Sequence, residues 1–245
     1  MRIYRCVARL SSLIRTLTKT VPRPGVFPYW EWGLDCTTGV EKSPVFDGSE
    51  TSLGGAGKGG RGCLDSGPFS NVTVNVGPVG SSNPMKYNPR CIKRQFSSQM
   101  CKSYASLKAT TDPILQSKDV NTLQAIIQGD GRASQAAARV GMGVHGGGHY
   151  SIGGDPGGDF YFSPLEPGFY LHHGNIDRMH FIWQNLDWAN RQTIAGTNTM
   201  FNQPPTPEAV LTDNMGFEPL HRNLTIGETM DTVGGTPLCY VYEPW

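Results

Sequence analysis

The segment VHGGGH at residues 144–149, with FYLHHGNIDR at residues 169–178, decides the fold of this chain. Together the two segments hold four of the six histidines in 245 residues. His145 and His149 are four residues apart, so on a helix they lie on one face. The three glycines between them each oppose a helix by about 1 kcal/mol. The spacing therefore predicts a turn held by tertiary packing, or one whose small residues let another element approach closely.

The second segment adds two adjacent histidines, His172 and His173, on a predicted long helix. Adjacent residues face different sides of a helix, so at most one of the two is expected to bind the same ion as His145 and His149. Three imidazole nitrogens suit copper or zinc. A zinc peptidase would carry glutamate directly after the first histidine, and Gly146 stands there instead.

The remaining polar residues of this helix have less specific interpretations. Asp177, four residues after His173, is predicted to support the metal site as a hydrogen-bond acceptor. His180 is more simply a packed helix residue, and His221 is predicted to be a surface residue.

Motifs along the chain resemble the tyrosinase and catechol oxidase (polyphenol oxidase) family of type-3 copper proteins, in particular its short ascomycete fungal members. They are PYWEW 28–32, SPVFDG 43–48, GPF 67–69, NPRC 88–91, HGGGH 145–149, GGD 153–155, SP 163–164, PGF 167–169, HH 172–173, IDR 176–178, WQ 183–184 and YVY 240–242. The resemblance covers about residues 27–243 and implies a mainly α fold. That fold would be a four-helix bundle, incomplete here, with long loops and a few short strands.

The resemblance also implies roles for individual residues. The second copper ion (CuB) would be held by His145, His149 and His173. His172 would then be a neighbour of the site rather than a ligand, with Asp177 close by. Phe169 matches the aromatic residue that overhangs the copper pair in several members. Gly146 stands where phenol-hydroxylating members often carry asparagine, which favours diphenol oxidation.

The implied activity is oxidation of small o-diphenols, and in some members monophenols, to o-quinones with O2. The family's first copper ion (CuA) is held by three histidines before the PYWEW segment, but the 26 residues before Phe27 contain none. We therefore expect an N-terminally truncated chain that lacks the first copper site. Each of the two copper ions gives one electron to O2, so one ion cannot complete the reaction. The alternatives are an inactive single-metal-binding remnant or pseudoenzyme and, less favoured, a zinc hydrolase.

The sequence predicts a non-matching basic segment at residues 1–26 and one copper-binding domain at 27–245. Helices are predicted over residues 93–108, 113–128, 131–143 and 168–190, with Asp112-Pro113 starting the second and Gly129 ending it. Residues 37–92, rich in glycine, serine, proline and asparagine, are predicted to be a long extended loop. The aromatic segment 27–32 is predicted to be too short for a helix.

Composition limits the partners and the compartment. A net charge of +1 gives no reason to expect nucleic acid or an anionic membrane, and no apolar run reaches the roughly 18 residues of a membrane span. The N-terminal residues are not expected to form a secretory signal peptide, and an amphipathic helix is favoured over a transit peptide. The resemblance implies secretion for a complete member. The six cysteines can be disulfides or buried thiols, and the sequons at Asn71 and Asn223 support secretion weakly.

Overall fold

The computed structural model describes residues 25–130, 142–199, 202–234 and 237–243. In these residues six α-helices and six two-residue strands are present. The helices are α1 (Trp32–Thr38), α2 (Ser98–Tyr104), α3 (Leu107–Gln116), α4 (Val120–Gln128), α5 (Val144–Ile152) and α6 (Gly168–Asn185). The strands are β1 (Gly25–Val26), β2 (Thr73–Val74), β3 (Arg90–Cys91), β4 (Asn214–Met215), β5 (Leu224–Thr225) and β6 (Tyr240–Val241). The predicted mainly α class is confirmed. The predictions for residues 1–24 and 131–141 lie outside the described residues.

Side-chain caps place the boundaries of the middle helices. Ser97 accepts a hydrogen bond from a backbone N–H at the start of α2, Ser106 does so for α3, and Asp119 for α4. The helix that was predicted over residues 93–108 is therefore shorter, covering only Ser98–Tyr104, and α3 follows it. The predicted start at Asp112-Pro113 is wrong, because Ser106 begins α3 earlier and Pro113 lies inside it. The predicted stop at Gly129 is confirmed by its left-handed conformation, with φ of 72°.

Helix α1 begins at Trp32, the last residue of the aromatic segment 27–32, and residues 27–31 are not helical, so the segment is too short for a helix of its own, as predicted. Glu31 caps the helix by accepting a hydrogen bond from the Gly33 N–H, and Trp32 is the first helical residue. Trp30 and Trp32 are fully buried in the main hydrophobic core with Trp183 of α6. Burial of these large rings ties the start of the domain to its central helix.

Helices α5 and α6, which carry the four clustered histidines, pack against each other. Helix α5 packs against α2, α4 and α6, and α6 also packs against α3. Helix α6 ends at Asn185, five residues before the predicted end at residue 190, and turns follow it. Strand β1 pairs in parallel with β6, which brings the C-terminal tyrosines against the start of the domain. Within the described residues, the structure has no helix long and apolar enough to cross a membrane.

Two disulfides hold the long segment before α2. Cys36 of α1 is bonded to Cys101 of α2, and Cys63 is bonded to Cys91 of β3. Residues 37–92 contain short 3-10 turns and the β2–β3 pair, so they are more structured than the predicted extended loop. Cys239 is an exposed free thiol. The sequence left the cysteine pairing open, and the structure assigns it for these five residues.

Candidate metal centre

The structure brings the two histidine segments together. The available ring nitrogens of four residues lie within 4.8 Å of one another; these are His145, His149, His172 and His173. The Nε2 atoms of His149 and His173 are 3.1 Å apart. Imidazole nitrogens that share one ion at metal–nitrogen distances of about 2 Å lie roughly 3 Å apart. The spacing of these two nitrogens, which is also that of a hydrogen bond, fits two ligands of one metal ion.

Helix α5 presents its two histidines because its glycines allow close packing. A Cβ on Gly147 would lie 2.6 Å from the Cβ of Tyr104 in α2. A Cβ on Gly148 would lie 2.3 Å from Nδ1 of His172 and 3.1 Å from Nε1 of Trp32. The helix keeps its low-propensity glycines because tertiary packing against these neighbours outweighs propensity.

Hydrogen bonds set which nitrogen of each α5 histidine faces the cluster. Nδ1 of His145 is 2.9 Å from Oε1 of Gln128, and Nδ1 of His149 is 3.4 Å from the carbonyl oxygen of Gly157. A carbonyl-type oxygen only accepts, so each Nδ1 carries the proton and donates it. The lone pair of each ring is then on Nε2, the nitrogen that is free to bind a metal ion.

Burial keeps the four rings neutral. It lowers the pKa of His145 to about 3 and that of His149 to about 4. Burial, together with the other histidines, also holds the pKa values of His172 and His173 well below their usual range. Neutral imidazole is the form that binds a metal ion, so near neutral pH the cluster needs no deprotonation before it binds.

Several nitrogens of the cluster are unpaired, which indicates whether a metal ion fits among them. Nε2 of His145 is buried and lacks a hydrogen-bond partner among the described residues, as do Nδ1 of His173 and both ring nitrogens of His172. A buried polar atom without a partner costs about 1–3 kcal/mol. A nitrogen-only donor set of this kind fits a copper ion, and it also fits zinc.

The residues that were predicted to surround the ligands each have a different relation to the histidine cluster. The ring of Phe169 stacks on His173 at 4.0 Å between centroids. The fully buried ring of His172 lies 5.3 Å from Trp32 and parallel to His145 at 5.7 Å. It therefore belongs to the cluster and packs into the core beneath it. A Cβ on Gly146 would meet only the side chain of Met142 within 4 Å.

Asp177 contacts the C-terminal tyrosines. Its Oδ2 accepts hydrogen bonds from the hydroxyls of Tyr240 at 2.7 Å and Tyr242 at 2.5 Å. Burial raises the pKa of Asp177 to about 6, although the two hydroxyls oppose that shift. The residue thus joins α6 to the strand β6 segment. The pKa of His180 is lowered to about 4 by burial, as predicted for a packed helix histidine.

Several supporting residues were not identified from the sequence. Arg94 and Glu166 form a buried ion pair at 2.6 Å, and the same Glu166 oxygen accepts from the Gly168 N–H at the start of α6. Arg90 binds Asp155 through two hydrogen bonds of 2.5 and 2.9 Å, which hold the loop that carries Gly157. The motifs NPRC and GGD contained two of these residues, but nothing local indicated that they pair.

Comparisons with known proteins identify relatives of this chain. A family model described as the common central domain of tyrosinase matches residues 7–186. The chain belongs to the tyrosinase family. Its relatives include the oxidase hkm6 of Aspergillus hancockii, 32% identical over 93% of this chain and 88% of that protein. Tyrosinase P of Aspergillus terreus is 31% identical over 89% of this chain and 68% of its own length.

A solved structure shares the fold of this tyrosinase-family chain. A polyphenol oxidase variant from Thermothelomyces thermophila superimposes with a TM-score of 0.83 at 31% identity, over 99% of this chain and 73% of that one. The family assignment and the tyrosinase-like, mainly α fold predicted from the sequence are confirmed. The family gives the chain the general function of a copper oxidoreductase. The family match begins at residue 7, within the basic N-terminal segment.

Proposed function

We propose that this chain binds one copper ion through His145, His149 and His173 and supplies the second-copper half of an o-diphenol oxidase. The single observation that supports this most directly is the 3.1 Å approach of the His149 and His173 Nε2 atoms. The Nε2 atom of His145, buried without a partner among the described residues, is the third donor. Copper, when bound, supplies electron transfer between the phenol and O2.

The chain's own side chains hold and shape this site. Gln128 and the Gly157 carbonyl fix the tautomers of His145 and His149, so that both lone pairs face the ion. Phe169 covers the His173 ring and would offer a phenolic substrate an aromatic face at the site. His172, packed between Gly148 and Trp32, is proposed to position the cluster without binding the ion.

The histidine count favours one ion in this chain. Outside the cluster the sequence has only His180 and His221. His180 is buried on α6 and packs near Trp183, and His221 lies near strand β5. Two histidines that lie apart do not provide a second set of three. The two-copper reaction therefore needs imidazoles beyond these, and the second candidate function is binding of a single metal without phenol oxidation.

The test is copper content and quinone formation measured on the same preparation. We expect about one copper per chain, with electron paramagnetic resonance showing nitrogen ligands. His173→Gln should lose the copper, and the matched control His221→Gln should keep it. Retention of copper with an unchanged spectrum in His173→Gln would contradict the ligand assignment, and two copper ions per chain would contradict the single site.

Quinone formation separates the two candidate functions. The chain is mixed with a catechol and O2, and the o-quinone is followed by its visible absorbance. Oxidation that is lost in His173→Gln and kept in His221→Gln supports the oxidase. Stoichiometric copper without quinone supports the single-metal protein.

We also propose that the chain is folded in the secretory pathway. Cys36–Cys101 and Cys63–Cys91 are both formed, and such bonds persist in oxidising compartments. Mapping of disulfide-linked peptides without reduction tests this proposal, and two pairs of free thiols in the native protein would contradict it.

A further inference from the structure

The two sequons of this chain occupy different structural environments. Asn71-Val72-Thr73 ends an exposed turn and enters β2, and all three of its residues are exposed. The turn is closed by hydrogen bonds from the Ser70 and Val72 N–H groups to the carbonyls of Gly67 and Phe69. A sequon in this position can carry a bulky group without disturbing the core.

The side chains of the first sequon are free within the described residues. Neither the Asn71 amide nor the Thr73 hydroxyl takes part in a hydrogen bond there. Val72 is 41% exposed, which leaves an apolar side chain in water beside Asn71. A sugar attached at Asn71 would lie next to this side chain and shield it.

The second sequon is engaged in the fold. Asn223 Oδ1 accepts from the Phe217 N–H at 3.1 Å. The Thr225 hydroxyl donates to Glu228 Oε2 and accepts from the Glu228 N–H, each at 3.2 Å. Leu224, between them, is buried in the second core cluster. Any group added at Asn223 would have to preserve these contacts.

The first sequon lies within a loop that a disulfide closes. Cys63–Cys91 closes a loop that contains Asn71, and Thr73 pairs directly with Cys91 in the β2–β3 ladder. The sequon therefore lies in a segment whose disulfide forms in an oxidising environment. That environment in the secretory pathway also contains the machinery of N-glycosylation.

We propose that Asn71 is a site of N-linked glycosylation. In this step Asn71 Nδ2 loses a proton and forms a bond to the anomeric carbon of an oligosaccharide. The bond between that carbon and a lipid pyrophosphate breaks, and the pyrophosphate leaves with the bonding electrons. No oxidant or reductant is required. The proposal rests on the proposed secretory folding and is independent of copper binding.

The test uses the full chain, secreted from a yeast host behind a cleavable leader. Glycopeptide mass spectrometry, before and after treatment with peptide N-glycosidase, reports modification of each asparagine. We expect Asn71 to be glycosylated and to become aspartate after the enzyme treatment. Asn71→Gln and Thr73→Val should lose the electrophoretic shift that the enzyme removes, whereas Thr73→Ser should keep it.

Peptide mapping of the disulfides in the same secreted sample separates the two proposals. An unmodified Asn71 in a chain with Cys63–Cys91 formed would overturn the glycosylation proposal and leave secretory folding intact. A glycan found only at Asn223 would overturn it as well. Free Cys63 and Cys91 beside a glycosylated Asn71 would contradict the disulfide argument and support the modification itself.

Discussion

Gly148→Ala is expected to disturb the core and the histidine cluster together. The new methyl group would lie 2.3 Å from Nδ1 of His172 and 3.1 Å from Nε1 of Trp32. Both rings are fully buried, so neither can move aside freely. Gly146→Ala is the matched control in the same helix, because its methyl group would lie 2.5 Å from Cγ of Met142, a flexible side chain rather than a buried ring.

The magnitude follows from two opposing effects. Both substitutions gain about 1 kcal/mol of helix propensity. Gly148→Ala adds overpacking against two fully buried rings, which typically costs about 1–3 kcal/mol, whereas Gly146→Ala overlaps a flexible methionine side chain that can shift at lower cost. The free energy of unfolding should therefore be about 1–3 kcal/mol lower for Gly148→Ala than for Gly146→Ala. At about 2–4 °C per kcal/mol for a chain of this size, the difference in Tm is roughly 2–12 °C.

Thermal unfolding of the two metal-free variants measures this difference, and copper titration measures the effect on the site. We expect Gly148→Ala to bind copper more weakly than Gly146→Ala, since a displaced His172 ring pushes on the neighbouring histidines. Equal Tm values and equal copper affinities for the two variants would refute the packing argument for Gly148.

Three further predictions concern the surroundings of the site. Arg94→Met should lower the free energy of unfolding by about 3–5 kcal/mol in chemical denaturation, because Glu166 is left buried and unpaired. The control Arg222→Met removes one partner of an exposed ion pair and should change the free energy of unfolding by less than about 1 kcal/mol. Arg90→Met should weaken copper binding about 10–100-fold in a competition titration, because it loosens the loop whose carbonyl orients His149, and unchanged affinity would contradict this role. The free energy of unfolding of the metal-free chain should fall as the pH falls from about 6.5 towards 4, because in this range the buried histidines are protonated only in the unfolded state. His149→Gln should reduce this loss of stability by up to roughly 3 kcal/mol, at about 1.4 kcal/mol per pKa unit. An identical pH profile for the variant in denaturant titrations would count against this prediction.

The local patterns of the sequence predicted the main features of the site. The spacing of His145 and His149 indicated one helix face, and the adjacent pair His172 and His173 indicated a second contributing helix. Helix α6 was predicted with its correct start because its pattern is long and continuous. Gly129 ends α4 as predicted, because a glycine that can adopt the left-handed conformation is a local sequence signal for the end of a helix.

Features that depend on distant partners could not be predicted. Arg94 and Glu166 are 72 residues apart in sequence, and Tyr240 is 63 residues from Asp177. Nothing local distinguishes these residues from exposed charges or ordinary core tyrosines. The helix start at Pro113 was predicted wrongly for a different, local reason: proline favours a first turn, but Ser106 caps the helix seven residues earlier.

The structure makes metal binding and core stability depend on the same contacts. His172 packs on Trp32, which lies in the main core cluster with Ile152 and Ile176. Four ring nitrogens of the histidine cluster, Nε2 of His145 among them, are buried without partners among the described residues, and each such atom costs about 1–3 kcal/mol. An ion bound by Nε2 of His145 and by its neighbours stabilises the folded chain by about 2.7 kcal/mol at a free concentration one hundred times its Kd. A change such as Gly148→Ala therefore weakens both the fold and the site, because one packed interface supports them both.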